Sequence, residues 1–377
     1  MSKKTFYLII VISFVVSLFF QWTRWKDLYF IDSHMWASQA QYVQTNDARE
    51  FDAKMAYGHP GGTVVEGAII FHDIFKVPYE DSLIIFITIF NSLIISIICL
   101  LCFILYKNHL WWIITLSTLA MNSAYDNATP TSAIVSPLMV LLTLLTLYFY
   151  KNKEKINIPL VLFFSLVVGL ASSTRLDIGV FCSVFFIGFL KYTNTIDWKK
   201  LFYIILGSFT TFCIFDPFMW FMPFQHIKDL IAKIIFHYSE FLPYHLTFMS
   251  VFILSMLTII SISLAISIVL LKNKIKLLVP ENFIKTLIVM TIILYIIFLT
   301  SHYQAERYFQ PIIFIWEVLL PLFIFNLTTY ISHSLSFKID KYIKFIKVLN
   351  FSIFLLLVSY HSFLFYIWFI FDRIRLV

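Results

Sequence analysis

Charged residues are scarce in this 377-residue sequence: Asp, Glu, Lys and Arg make up 13% of it. Soluble domains carry about 25%. Hydrophobic residues reach 60%, and the mean hydropathy is +0.86. This is too little polar surface to coat a water-soluble globule and enough apolar surface for many membrane spans. Cysteine is scarce too, with Cys99, Cys102, Cys182 and Cys213 all inside apolar runs. Cys99 and Cys102 have CxxC spacing, but a redox or zinc motif needs polar surroundings and further ligands. Two small apolar residues on one helix face account for the pair, and no disulfide framework is implied. The chain shows no internal repeat, no low-complexity tract and no separate soluble domain.

What the sequence does have is aromatic and aliphatic bulk. Its 43 Phe and 20 Tyr suit lipid-facing and interfacial positions. A helix crosses a bilayer with about 20 apolar residues. Apolar runs predict spans at roughly 5–21, 82–106, 110–124, 132–150, 157–174, 176–191, 200–220, 246–271, 284–301, 311–330 and 348–371. The first run follows Lys3 and Lys4, and Gln21, Trp22 and Arg24 come after it instead of small residues, so it reads as an uncleaved span rather than a signal peptide. The expectation is an all-α integral membrane protein, a polytopic bundle of about eleven transmembrane helices. One transmembrane module should cover 1–330, followed by a cytoplasmic basic linker and a last span over 331–377.

Charge orients the bundle. With the N-terminus inside, 17 of the 28 Lys and Arg fall on inner segments, including Lys107, Lys151, Lys153, Lys155, Lys191, Lys199 and Lys200. Only Glu154, Asp197, Glu281 and Asp340 of the 21 acids join them. The carboxylates therefore collect on the outer side. The first outer loop spans about 22–81. It predicts a short helix beginning near Ser33 and an apolar stretch, Thr63 to Phe75, too short to cross and expected in the interface or against the bundle. A second outer segment, about 221–245, has Ile227, Leu230, Ile231, Ile234 and Ile235 at helical spacing and also reads as an interfacial helix.

Chemistry-bearing residues cluster at these outer helix ends. Asp32, in Phe30-Ile31-Asp32-Ser33-His34, fits an N-cap and also a general base at the membrane surface. Tyr57-Gly58-His59-Pro60-Gly61-Gly62 is a turn before a helix, which explains the Pro and Gly but not His59. Ser172-Ser173-Thr174-Arg175-Leu176-Asp177 offers Arg175 as a headgroup anchor, a surface pair with Asp177, or a phosphate partner. Between two spans lies His302-Tyr303-Gln304-Ala305-Glu306-Arg307-Tyr308-Phe309-Gln310-Pro311, in which Arg307 fits a phosphate by two parallel hydrogen bonds or a lipid headgroup. Asp126 and Asp216 sit at other outer ends. Glu317 lies about 9 Å deeper than Pro311, at about 1.5 Å per residue, where an acid needs a partner or a watery cavity.

In order and spacing, Asp32, His59-Pro60, Gly169-Leu170-Ala171…Thr174-Arg175 and Arg307-Tyr308…Pro311 resemble the GT-C superfamily of membrane glycosyltransferases. The likeness is to the bacterial relatives of dolichyl-phosphate-mannose protein mannosyltransferase, of the glycosyltransferase family 39 type. The chain departs from that pattern at Ser33, where a second acid is usual, and at Gly61, where a second proline is usual. It also lacks the large C-terminal outer domain of many members. The resemblance implies a GT-C-like fold and a sugar donor linked to a polyprenyl phosphate. It implies Asp32 as the base of an inverting transfer to an acceptor hydroxyl on a glycan, lipid or protein. Arg307 and Arg175 would meet the donor phosphate, and His59, Asp126, Tyr308, Glu317 and His34 would line the substrate. No cofactor is then required, although His34, His59 and Asp32 could hold a divalent metal. Membrane lipids are expected as partners and nucleic acid is not. The expected location is the cell membrane, with the active site on the extracytoplasmic side.

Other readings of the same residues are a lipid-linked-sugar transporter, or flippase, and a polysaccharide polymerase or ligase. Transporters place polar groups near the midplane and often show repeated halves, whereas the charges here gather at the outer mouth. Polymerases and ligases rely on arginines in late outer loops, whereas the largest outer loop here comes first. A non-enzymatic scaffold would leave Glu317 and Arg307 without a purpose.

Overall fold

The computed structural model describes residues 2–22, 33–45, 61–125, 130–221, 223–239, 278–300 and 310–334. Every regular element among them is helical. The chain opens with α1 (Lys3–Trp22), α2 (Ser33–Thr45), α3 (Gly62–Phe75) and α4 (Tyr79–Tyr106). It continues with α5 (His109–Tyr125), α6 (Pro130–Lys151), α7 (Ile158–Thr174), α8 (Leu176–Tyr192) and α9 (Trp198–Phe215). A single turn, α10 (Phe218–Phe221), precedes α11 (Pro223–Ser239), α12 (Glu281–Thr300) and α13 (Gln310–Ser334). Four helices, α1, α4, α6 and α9, are long and apolar enough to cross a membrane. Shorter apolar helices are α7, Trp111–Ala120 within α5 and Pro311–Phe323 within α13.

Most expected spans coincide with a helix, including the short ones near 110 and 176. The run expected to extend to 220 stops at Phe215. Pro217 disfavours helical backbone at the residue before it, and Asp216 is extended there, at φ −120° and ψ 94°. The runs at 246–271 and 348–371 lie outside the described residues. The boundary expected at 330 falls inside α13, which continues to Ser334. The short helix and the apolar stretch expected in the first outer loop are α2 and α3, both packed against α4, and the later periodic segment is α11.

The centre of the bundle is α6, buried at every residue from Pro130 to Leu147. A helix that is apolar all round belongs inside, and α4, α5, α7, α8 and α13 pack about it. Pro137 interrupts its hydrogen-bond ladder, because a proline cannot donate to the carbonyl four residues earlier. That carbonyl belongs to Ala133, and the buried Asn91 of α4 donates to it instead, at 3.0 Å. A polar side chain in an apolar helix thus answers a backbone group that the proline exposes.

Small residues let α7 and α9 run side by side. A Cβ added at Gly169 would come within 2.7 Å of the Ser208 carbonyl oxygen, so only glycine allows this approach. Ser165 donates across the same seam to the Tyr203 carbonyl, at 3.3 Å. Close backbone contact at small residues is what holds helices together in lipid, where burial of apolar area offers no advantage. At the expected inner end, lysines tie turns together. Lys151 donates to the Leu278 carbonyl and Lys153 to that of Thr193, each at 2.6 Å, and Lys191 lies 3.9 Å from the Trp198 ring centroid. Cys99 and Cys102 are free and buried on α4, as two small apolar residues would be.

Candidate functional site

Two of the expected outer motifs come together at the first turn of α3. Gly61 caps this helix, and a Cβ there would fall on the ring of Trp36 from α2. At Gly62 a Cβ would lie 2.6 Å from the Asp216 Cα and from the Phe215 carbonyl oxygen, so the end of α9 rests on bare backbone. The Thr63 hydroxyl is 2.5 Å from that of Ser173 near the end of α7, and it donates to the Leu170 carbonyl at 3.4 Å. Three successive residues therefore join α2, α9 and α7 at one place. Gly61 and Gly62 are needed for these close approaches.

Arg175 lies two residues beyond Ser173, in the extended link between α7 and α8. Its N–H donates to the Ala171 carbonyl at 2.9 Å, and its own carbonyl accepts from Gly179 at 2.8 Å. The guanidinium forks onto Asp177, with Nε to Oδ1 at 3.1 Å and Nη2 to Oδ2 at 2.5 Å. The pair is largely buried, the arginine side chain being only 7% exposed. Arg175 and Asp177 therefore pair within the fold rather than on its surface. Asp177, in the first turn of α8, also favours that helix end electrostatically.

The same junction holds a buried acid–imidazole pair. Asp216 Oδ2 and His226 Nε2 are 2.8 Å apart, and both side chains are fully buried. A carboxylate can only accept, so the imidazole N–H donates. The other oxygen accepts from the Phe218 N–H, at 3.2 Å. Helix α11 is anchored to the end of α9 in this way, with Leu230 buried one turn after His226 and Phe224 exposed to its surroundings. His226 was legible in the sequence: it lies four residues before Leu230, on the same helical face. Glu66 is a second missed residue, the one acid in the first two turns of α3. It is half-buried, and burial pushes its carboxyl above the usual glutamate value.

Of the other expected residues, His34 is on the exposed side of α2, with Nδ1 3.1 Å from Glu80 Oε1 at the start of α4. Glu317 is half-buried on α13 and does not lack a partner. Its neighbour Trp316 donates to the Thr291 hydroxyl of α12 at 2.9 Å. Asp32, His59, Asp126, Arg307 and Tyr308 lie outside the described residues. Asp32 directly precedes α2, His59 precedes Gly61 by two residues, and Arg307 precedes α13 by three. Among the described residues, no three His, Cys, Asp or Glu side chains are grouped to hold a metal ion. No protein-family model and no curated protein matches this chain.

Proposed function

We propose that this chain is a membrane glycosyltransferase that moves a sugar from a polyprenyl-phosphate donor to an acceptor hydroxyl at the extracytoplasmic face. The observation that carries this reading is the junction at the first turn of α3. It ties the helix that follows Asp32, the turn that follows His59 and the link that bears Arg175 to one end of one bundle. The charge pattern supports that end as the outer one.

In this reaction Asp32 takes the proton from the acceptor hydroxyl as its oxygen attacks the anomeric carbon. The bond from that carbon to the phosphate oxygen breaks, and the polyprenyl phosphate leaves with the electron pair. Attack opposite the leaving group inverts the anomeric centre. Arg307 offsets the charge on the departing phosphate. Arg175, held in a fork by Asp177, presents its guanidinium beside the same junction. His59, Asp126, Tyr308, Glu317 and His34 border the substrate.

The decisive measurement is sugar transfer by the purified protein in nanodiscs, with a polyprenyl-phosphate hexose as donor. Asp32→Asn should reduce transfer by at least about 10³-fold while the protein still inserts and purifies normally, since it removes the base outright. Full activity in that variant would overturn the assignment.

A further inference from the structure

The lysine end of the bundle carries a surface that sugar transfer does not use. Two turns meet there, 152–157 between α6 and α7 and 193–197 between α8 and α9. The Lys153 ammonium ties them by donating to the Thr193 carbonyl at 2.6 Å. With the residues that flank them, the two turns gather Lys151, Lys153, Lys155, Lys191, Lys199 and Lys200 against two acids, Glu154 and Asp197. The fold fixes several of these cations. Lys191 stands 3.9 Å from the Trp198 ring centroid and Lys153 5.5 Å from that of Tyr150. Asp197 is already engaged: it caps α9 by accepting from the Lys200 N–H at 2.7 Å, and the Lys200 ammonium lies 3.7 Å from its other oxygen. An ammonium has three donors, and the carbonyl contact of Lys153 uses one. The ammonium groups of Lys155 and Lys199 are exposed and make no hydrogen bond or ion pair among the described residues.

Next to this charge, α9 turns an apolar face outward. Trp198, Phe202, Ile205 and Phe209 recur every three or four residues on one side of the helix, over about 16 Å. Each is more than half exposed, whereas Ile204 and Thr211 are the buried residues of α9. An apolar face of this length is stable only against hydrocarbon. Cations at the foot of such a face match an amphiphile with an anionic head and apolar tails. A soluble anion or an acidic protein would leave the face uncovered. We infer that the α6–α7 and α8–α9 turns bind an anionic phospholipid, its phosphate among the lysines of both turns and an acyl chain along Trp198, Phe202, Ile205 and Phe209. The indole of Trp198 then lies at headgroup depth, where tryptophan is favoured. Phosphatidylcholine carries the same phosphate with a compensating cation, so it gains less from the lysines. The two turns lie about 40 residues apart in the sequence, and a lipid held by both reinforces the tie that Lys153 makes.

The test is native mass spectrometry of the full chain in detergent, with phosphatidylglycerol and phosphatidylcholine of identical acyl chains added in equal amounts. Phosphatidylglycerol should be bound in preference by at least about fivefold, the worth of a single lysine beside an anionic lipid. Lys155→Gln with Lys199→Gln removes two cations that the fold does not use. This double variant should cut phosphatidylglycerol occupancy at least about fivefold and leave phosphatidylcholine occupancy and the lipid-free melting temperature unchanged. Lys3→Gln with Lys4→Gln removes the same charge from the start of α1 and should leave phosphatidylglycerol occupancy as it is. Equal losses in the two double variants would overturn the site, since binding would then follow overall charge. Equal occupancy by the two lipids in the unaltered protein would also overturn it. Glycerol 3-phosphate in about tenfold excess should not displace the lipid. Displacement would show a site for a free phosphate and would overturn the part assigned to the α9 face.

Discussion

Single residues around the α3 junction differ in how fully the fold satisfies them, and Glu66 is the one that pH should reveal. Glu66 has a folded-state proton affinity above that of the unfolded chain. Its favourable contribution is therefore complete below the unfolded value, about pH 4.3, and is lost as pH rises through the folded value. Glutamine mimics the protonated acid and does not titrate. Glu66→Gln should match the wild-type melting temperature near pH 4 and exceed it once the pH has passed the folded value. Parallel melting curves would sink this reading of its burial. The sequence displayed Glu66 as a lone acid in an apolar stretch, but not that Asp216 and Asp73 would be satisfied, by His226 and by Gln44. Partners such as Gln44 are distant in sequence, and the period of a helix gives a side chain's direction without giving what it meets. Arg175 and Asp177 were legible as a pair from their spacing of two, and only their burial was not.

At the scale of helices, apolar periodicity located the elements well, because a membrane span must satisfy its backbone within itself. The places where helices touch were harder to read. The close contact at Gly169 and Ser165 shows only once α9 is laid against α7. Asn91 of α4 and Pro137 of α6, far apart in the sequence, form one hydrogen-bonded unit through the Ala133 carbonyl. Asn91→Leu should leave the Ala133 carbonyl without its donor and cost about 1–3 kcal/mol. Pro137→Ala alone should cost little, since alanine restores the N–H that the ladder lacks. In the double variant the Ala133 carbonyl is bonded within its own helix, and Asn91 is no longer needed there. The loss from Asn91→Leu should then fall to about a third or less, a coupling that thermal melts of the four proteins in detergent would measure. Additive losses would show that Asn91 acts in some way other than as the partner of this carbonyl.

For the whole molecule the open quantity is its direction across the membrane, on which the chemistry depends. Charge bias predicts it: the lysines gather at the α6–α7 and α8–α9 turns, and the acids at the ends that hold α2, α3 and Asp216. Thr45, exposed at the end of α2, and Tyr192, 83% exposed at the end of α8, report the two faces. With Cys213→Ala to remove the one natural thiol that is not buried, each can be replaced by cysteine and treated with a membrane-impermeant maleimide. Thr45→Cys should label in intact cells, or in spheroplasts where an outer membrane intervenes. Tyr192→Cys should label only after the membrane is opened. The reverse result would put the α3 junction, and with it Arg175 and Glu66, in the cytoplasm. Nucleotide sugars are available there, and the case for a polyprenyl-phosphate donor would lose its reason. The expected result instead leaves these residues on a face without nucleotide sugars, where an activated sugar must arrive on a lipid. On that face the arginine, the acids and helices α3 and α11 would meet such a donor at the membrane surface, where a lipid-linked sugar lies.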